Sequence, residues 1–92
     1  MPLLSDEEIQ EKLGGLEGWD RVEDTITKEY KLKNYIESVG FVTKIALIAE
    51  RADHHPDIVL QYNKVTIVLT THSEDGITEK DFALAREIEG VF

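Results

Sequence analysis

The sequence predicts an α+β domain: a four-stranded antiparallel sheet from two hairpins with three helices on one face, in the order α-β-β-α-β-β-α. Three observations predict it. Residues 25–32 and 65–71 alternate at period two, as half-buried strands do. The stretch from residue 34 to residue 54 carries apolar residues at helical spacing. Ser5, Asn34 and Thr78 each stand three residues before an acid, the pattern of a capped helix start. The 92 residues make one domain, 1–92, with no linker, repeat or low-complexity segment.

The first helix opens on Ser5 with Glu8 as its return partner. Ile9, Leu13 and Leu16 give it an apolar edge, and Gly14-Gly15 stops it. Trp19 and Val22 belong to a short strand, with Trp19 a core anchor. Glu23-Asp24 turns the chain back. In the strand from Thr25 to Leu32, Ile26, Lys28, Tyr30 and Leu32 share a side, and Lys28 is out of place unless it sits at an edge. The long helix from Asn34 has two apolar stripes: Val39, Val42, Ala46, Ala49 and, beside it, Phe41, Ile45, Ile48, Ala52. Gly40 inside it costs about 1 kcal/mol against alanine, which the close approach of another backbone would explain. Pro56 ends this helix, with His54 in its last turn and His55 extended.

A third strand is expected over 57–62, a tight turn at Asn63-Lys64 and a fourth strand over 65–71. Val65, Ile67, Leu69 and Thr71 face one way, and Thr66, Val68, Thr70 and His72 the other. After the loop 73–76, Thr78 caps the last helix with Asp81. Phe82, Leu84, Ala85 and Ile88 form that helix's apolar face.

Nineteen acidic and ten basic residues give a formal charge of -9, which repels phosphate backbones and anionic membranes. No direct nucleic-acid or membrane partner is expected. Cysteine is absent, so no disulfide or thiolate site exists. No apolar run is long enough to span a bilayer, and the N-terminal stretch lacks the features of a signal peptide. A cytoplasmic location is the expectation. A chain this short has a modest core, which favours oligomerisation.

All three histidines lie between Glu50 and Asp81: His54 and His55 before Pro56, and His72 after the fourth strand. Histidine titrates nearest neutral pH, so the cluster suggests acid–base work, a metal site or a pH response. The break at Pro56 would let both adjacent imidazoles turn toward one cavity, and Glu50 stands four residues before His54, within reach on a helix. Neither common helical zinc spacing is present, and adjacent histidines rarely share a metal, so no metal is expected. Glycine-rich phosphate loops and serine-nucleophile arrangements are absent. Plainer readings exist for single residues: helix capping suffices to explain Asp81, Glu50 fits a solvated helix acid, and Tyr62 fits strand packing.

Glu50, His54-His55-Pro56, Tyr62, His72 and Asp81, in that order and spacing, resemble the pattern of the pterin-4a-carbinolamine dehydratases. Thr71-His72, Gly76, Thr78 and Asp81 are similar to that family's Thr-His…Gly-x-Thr-x-x-Asp segment. Gly18-Trp19 and Gly40-Phe41 extend the resemblance over nearly the whole chain. Ile58 departs from it, standing where many members carry an aromatic residue. The resemblance implies dehydration of a 4a-hydroxytetrahydropterin, such as the tetrahydrobiopterin carbinolamine, to a quinonoid dihydropterin and water during tetrahydrobiopterin recycling, without cofactor. It implies acid–base roles for His54 and His72, with His55 orienting the pterin; exchanged roles fit the residues equally well. Glu50 and Asp53 would tune or orient the histidines at the substrate. Thr70, Thr71 and Ser73 would supply the pterin-binding edge. The resemblance also implies a homodimer or homotetramer. The alternative it carries is a non-enzymatic interaction protein, a dimerisation cofactor of a regulatory partner.

Overall fold

The computed structural model describes residues 2–92. In chain order the elements are α1 (Asp6–Leu13), β1 (Asp20–Val22), β2 (Thr25–Lys31), α2 (Tyr35–Ala52), β3 (Asp57–Gln61), β4 (Lys64–Leu69), a 3₁₀ turn (His72–Glu74) and α3 (Glu79–Val91). The strands form one antiparallel sheet in the order β1-β2-β4-β3. The two hairpins therefore join through β2 and β4, with Ile26 opposite Leu69 and Tyr30 opposite Val65. This is the α+β fold the sequence predicts.

Period-two patterning sets the layers. Ile26, Tyr30, Val65, Ile67 and Leu69 are buried on one face of the sheet, and Ile9, Phe41, Ile45, Phe82, Leu84 and Ile88 of the helices close the core. The helix starts follow their caps. Ser5 and Thr78 each form reciprocal capping boxes, with Glu8 and Asp81, and Asn34 accepts the Glu37 amide.

Several local expectations shift. β1 begins at Asp20, leaving Trp19 just outside it yet buried. The second hairpin turns at Tyr62-Asn63, one residue earlier than expected. Tyr62 leaves β3 for left-handed geometry at φ 50°, and Lys64 already pairs with Gln61. The two expected stripes of α2 do not pack equally: Val42 and Ala49 join the core, while Ala46 and Ala52 are exposed. Phe41, Ile45 and Ile48 are buried, whereas Val39 and Leu47 are 41% and 68% exposed, because a helix on one sheet face buries one side. A Cβ at Gly40 would meet nothing within 4 Å, so no backbone of this chain explains the glycine.

Lys28 has a specific partner. It lies in interior strand β2 just past the end of β1, since Asp20 pairs with Thr27. Its Nζ donates to Glu89 Oε2 at 2.7 Å and to the Glu17 carbonyl at 2.9 Å. The same carboxylate oxygen accepts from Trp19 Nε1 at 3.2 Å and from the Tyr30 hydroxyl. Burial works against the Glu89 carboxylate, but hydrogen bonds from Lys28, Tyr30 and Trp19 outweigh it and hold it below the usual carboxylate range. Burial, and then the neighbouring carboxylate, push the Tyr30 hydroxyl well above its ordinary range. This cluster ties the end of α3 to the sheet.

Candidate active site

The site forms where the C-terminus of α2 meets the N-terminus of α3. α2 ends at Ala52, and Asp53 takes the left-handed conformation (φ 51°, ψ 44°). The Asp53 amide then donates to Glu50 O at 3.2 Å and the His54 amide to Ala49 O at 3.1 Å, the paired bonds of a Schellman ending. His54 is therefore outside the helix rather than in its last turn. A left-handed residue before it reverses the chain, so helical spacing no longer governs which side chains meet.

The consequence is a change of partner. Glu50 Oε1 meets His55 Nε2 at 2.7 Å, not His54 as i,i+4 spacing suggests. His54 turns inward and places Nε2 2.6 Å from Asp81 Oδ1. The two imidazoles thus point to different partners. The His54 side chain is 11% exposed and that of Asp81 is 0% exposed, whereas those of His55 and Glu50 are 59% and 77% exposed.

Asp81 is held from behind. Its Oδ2 accepts the Thr78 amide at 2.9 Å and the Thr71 hydroxyl at 2.9 Å, and Thr71 Oγ1 lies 2.8 Å from Thr78 Oγ1. One carboxylate therefore caps α3 with one oxygen and fixes His54 with the other. Since a carboxylate only accepts, the proton of the short bond lies on His54 Nε2, leaving Nδ1 as the nitrogen free for other chemistry.

Of the remaining expected residues, only Thr71 is hydrogen-bonded to this pair. His72 and Ser73 are exposed on the 3₁₀ turn, which an antiparallel bridge between Thr71 and Gly76 pins beside β4. Thr70 donates to the Asp24 carbonyl at 2.7 Å, fastening the end of β4 to the first hairpin's turn. Thr71 is buried at 3% exposure behind Asp81, and Asp53 is exposed. A cleft of about 470 Å³ lies beside His55, lined by Leu47, Glu50, Pro56 and Ile58 among others. Among the described residues no three His, Asp or Glu side chains converge as a metal-ligand set. No helix among them is long and apolar enough to cross a membrane.

Sequence reasoning from single residues explained Asp81 by capping alone and so missed its second role. The available signal was Thr71, a polar residue on the inward face of a strand. Such a group must be hydrogen-bonded when buried, and Asp81 with Thr78 is its partner.

A family profile described as Pterin 4 alpha carbinolamine dehydratase matches residues 2–91. A Sulfolobus acidocaldarius protein provisionally named pterin-4-alpha-carbinolamine dehydratase is 49% identical over 88 residues, covering 96% of this chain and 97% of its own. A Picosynechococcus protein of the same provisional name is 51% identical over 82 residues, covering 89% of each. The crystal structure of a transcriptional coactivator/pterin dehydratase from Brucella melitensis superposes with a TM-score of 0.93 at 40% identity over 97% of each chain. A pterin dehydratase-like protein, a RuBisCO assembly factor of the alpha-carboxysome, shares the fold at a TM-score of 0.70 and 19% identity, over 82% of this chain and 89% of its own. By the profile's span and the identity of these relatives, the chain belongs to the pterin-4a-carbinolamine dehydratase family.

Proposed function

We propose that this chain dehydrates a 4a-hydroxytetrahydropterin to a quinonoid dihydropterin, as in tetrahydrobiopterin recycling. The observation that carries this reading is the buried 2.6 Å bond between His54 and Asp81, which fixes one imidazole at the edge of the site. The reaction breaks the C4a–O bond and removes a proton from a ring nitrogen. The hydroxyl leaves as water once protonated, and no electrons are exchanged with an outside acceptor, so histidines suffice and neither metal nor redox cofactor is required. His54 and His72 exchange these protons, each such role contributing about 10²–10⁴-fold. His55, braced by Glu50, orients the heterocycle beside the cleft at Pro56. Asp53, Thr70 and Ser73 would supply contacts to the pterin edge, and Thr71 would serve the site through Asp81.

The test is stopped-flow absorbance of 4a-hydroxytetrahydropterin decay. Wild-type protein accelerates the decay, and a His54→Ala/His72→Ala variant does not. A folded wild type without effect, or full turnover by either single alanine variant, refutes the assignment.

A second reading rests on the outer face of α2, where Ile36 is 80% and Leu47 68% exposed on the side that also carries Gly40. This face suits self-association into a homodimer or homotetramer, the glycine admitting a second helix closely. It is also the surface on which a non-enzymatic role, as dimerisation cofactor of a regulatory partner, would depend. Pterin turnover separates that role from catalysis.

A further inference from the structure

A second concavity lies at the other end of α2, where the end of β2, the first half of α2 and the end of α3 meet. Its volume is about 500 Å³, within the range of small-molecule sites. Phe41, buried, and Phe92, 61% exposed, form an aromatic wall with ring centroids 5.3 Å apart and planes at 64°, and Ile36 adds an apolar side. Lys31, Lys33 and Lys44 complete the lining, with Glu37 the one acid among these residues.

The charges set this cavity apart. Among the described residues, six of the ten lysines and arginines have a carboxylate within 4 Å: Lys12, Arg21, Lys28, Arg51, Lys64 and Arg86. The four others are Lys31, Lys33, Lys44 and Lys80, and the first three all line this cavity. In a chain of formal charge -9, acids are plentiful, yet these cations stay without one. Among the lining side chains, three lysines against one glutamate leave an excess of two positive charges beside an aromatic wall. Three cations gathered about a single acid repel one another, and a bound anion relieves that repulsion.

We propose that this cavity binds a small organic dianion with a flat apolar body, such as an aromatic phosphate, at a site separate from the histidines. The aromatic wall takes the ring, and the lysines take the charge as mobile point cations. The 18 residues of α2 span about 27 Å, so a ligand at its first turns is remote from His54 beyond its end.

The test uses 1-naphthyl phosphate as probe, titrated into the full chain by calorimetry and by amide NMR. The expected result is saturable binding at one site per chain, at least about tenfold tighter than inorganic phosphate or neutral 1-naphthalenemethanol. Affinity should weaken as salt rises. Amide shifts should centre on Ile36, Gly40, Lys44 and Phe92. Lys33→Gln/Lys44→Gln should weaken binding by about tenfold or more, while Lys80→Gln, removing an unpaired lysine outside the cavity, should not. Absence of saturation, equal affinity in the double variant, equal loss in Lys80→Gln, or shifts centred on residues 54–73 overturns the proposal. So does a double variant that changes oligomeric state while keeping its affinity, which would make this surface an interface between copies. Pterin turnover plays no part in these readouts, so the site stands or falls apart from the dehydratase reading.

Discussion

Replacing Asp81 separates its two jobs. Asp81→Asn keeps one carbonyl oxygen and gains an amide nitrogen. With the oxygen turned toward Thr78 N and the Thr71 hydroxyl, the cap survives, because both partners donate at 2.9 Å to the same position. The amide nitrogen then faces His54 Nε2, where Asp81 Oδ1 had stood at 2.6 Å. A donor now meets a donor, so His54 must move its proton to Nδ1 and accept at Nε2. The nitrogen that was free becomes protonated, and the charge that would stabilise an imidazolium is lost. Asp81→Ala differs: the Asp81 half of the capping box, the Thr71 bond and the histidine partner all vanish, leaving buried donors unpaired. Each buried donor left unpaired costs about 1–3 kcal/mol, and three donors (His54 Nε2, Thr71 Oγ1 and Thr78 N) lose their acceptor here. Exchanging a charge-assisted bond for a neutral one costs about 1 kcal/mol. In a domain of this size each kcal/mol shifts Tm by about 4–8 °C. Asp81→Ala should therefore lower Tm by about 12 °C or more, and Asp81→Asn by about 4–8 °C. Turnover of the folded Asp81→Asn variant should nonetheless fall about 10²–10⁴-fold. Calorimetric melting and stopped-flow pterin decay measure the two effects on the same preparations. Asp81→Asn turnover within twofold of wild type refutes the tautomer argument, and a Tm loss equal to that of Asp81→Ala refutes the argument that the cap survives.

Removing the Thr71 hydroxyl by Thr71→Val takes one donor from Asp81 at nearly constant volume, and should cost about 1–2 kcal/mol in urea unfolding and lower kcat more than it raises KM; Thr71→Ser should restore both. The Glu89 cluster sets a pH window. Glu89 lies below its ordinary value of 4.5 when folded, so its stabilisation is present above that pH and is lost as pH falls through the folded value. Tyr30 lies above its ordinary value of 10.0, so its stabilisation is present below that pH and fades as pH rises, since only the unfolded chain ionises there. Urea midpoints measured against pH should fall at both ends, and Glu89→Gln should flatten the acid limb. Asp53→Gly relieves a left-handed non-glycine residue and should raise stability by about 0.5–1 kcal/mol in urea titration; an accompanying rise in KM would report the lost carboxylate at the pterin. Leu47→Glu should reduce the assembly measured by light scattering if the outer face of α2 is a contact between copies; an unchanged mass refutes that placement.

The sequence exposes those features that repeat along the chain. Alternation from Thr25 and from Val65 marks the two central strands, and the spacing of Phe41, Ile45 and Ile48 marks the buried side of α2, because periodicity and burial share one geometry. Caps are legible for the same local reason: Ser5 with Glu8 and Thr78 with Asp81 complete their bonds within four residues. What the sequence hides depends on single dihedral angles. Neither Asp53 nor Tyr62 is a glycine; aspartate tolerates φ near 50° but does not require it, and nothing in tyrosine signals it. Yet Asp53 decides that His54 leaves the helix and that Glu50 pairs with His55, and Tyr62 moves the hairpin turn by one residue. Lys28 is illegible for a related reason: its acid, Glu89, lies 61 residues away, beyond the reach of any local pattern.

The meeting of His54 with Asp81 joins one helix's end to another's beginning. The Schellman ending of α2 turns His54 inward, and the capping box of α3 presents the carboxylate that receives it. Neither motif is chemical by itself, and each satisfies backbone groups that any helix end must satisfy. Thr71, from the sheet between them, binds the same carboxylate, so Asp81 receives a bond from α3's cap, from β4's extension and from the chain after α2. Three elements thus fix one side chain at 0% exposure, which leaves its orientation little freedom. A histidine held this way keeps one ring nitrogen committed and one available whether or not a ligand is present. On the proposed reading of His54 as acid or base, the ordering cost falls in folding and not in the reaction, which would couple the stability of α3 to turnover. Substitutions that fray the first turn of α3 should therefore lower kcat even where no substituted residue touches the pterin.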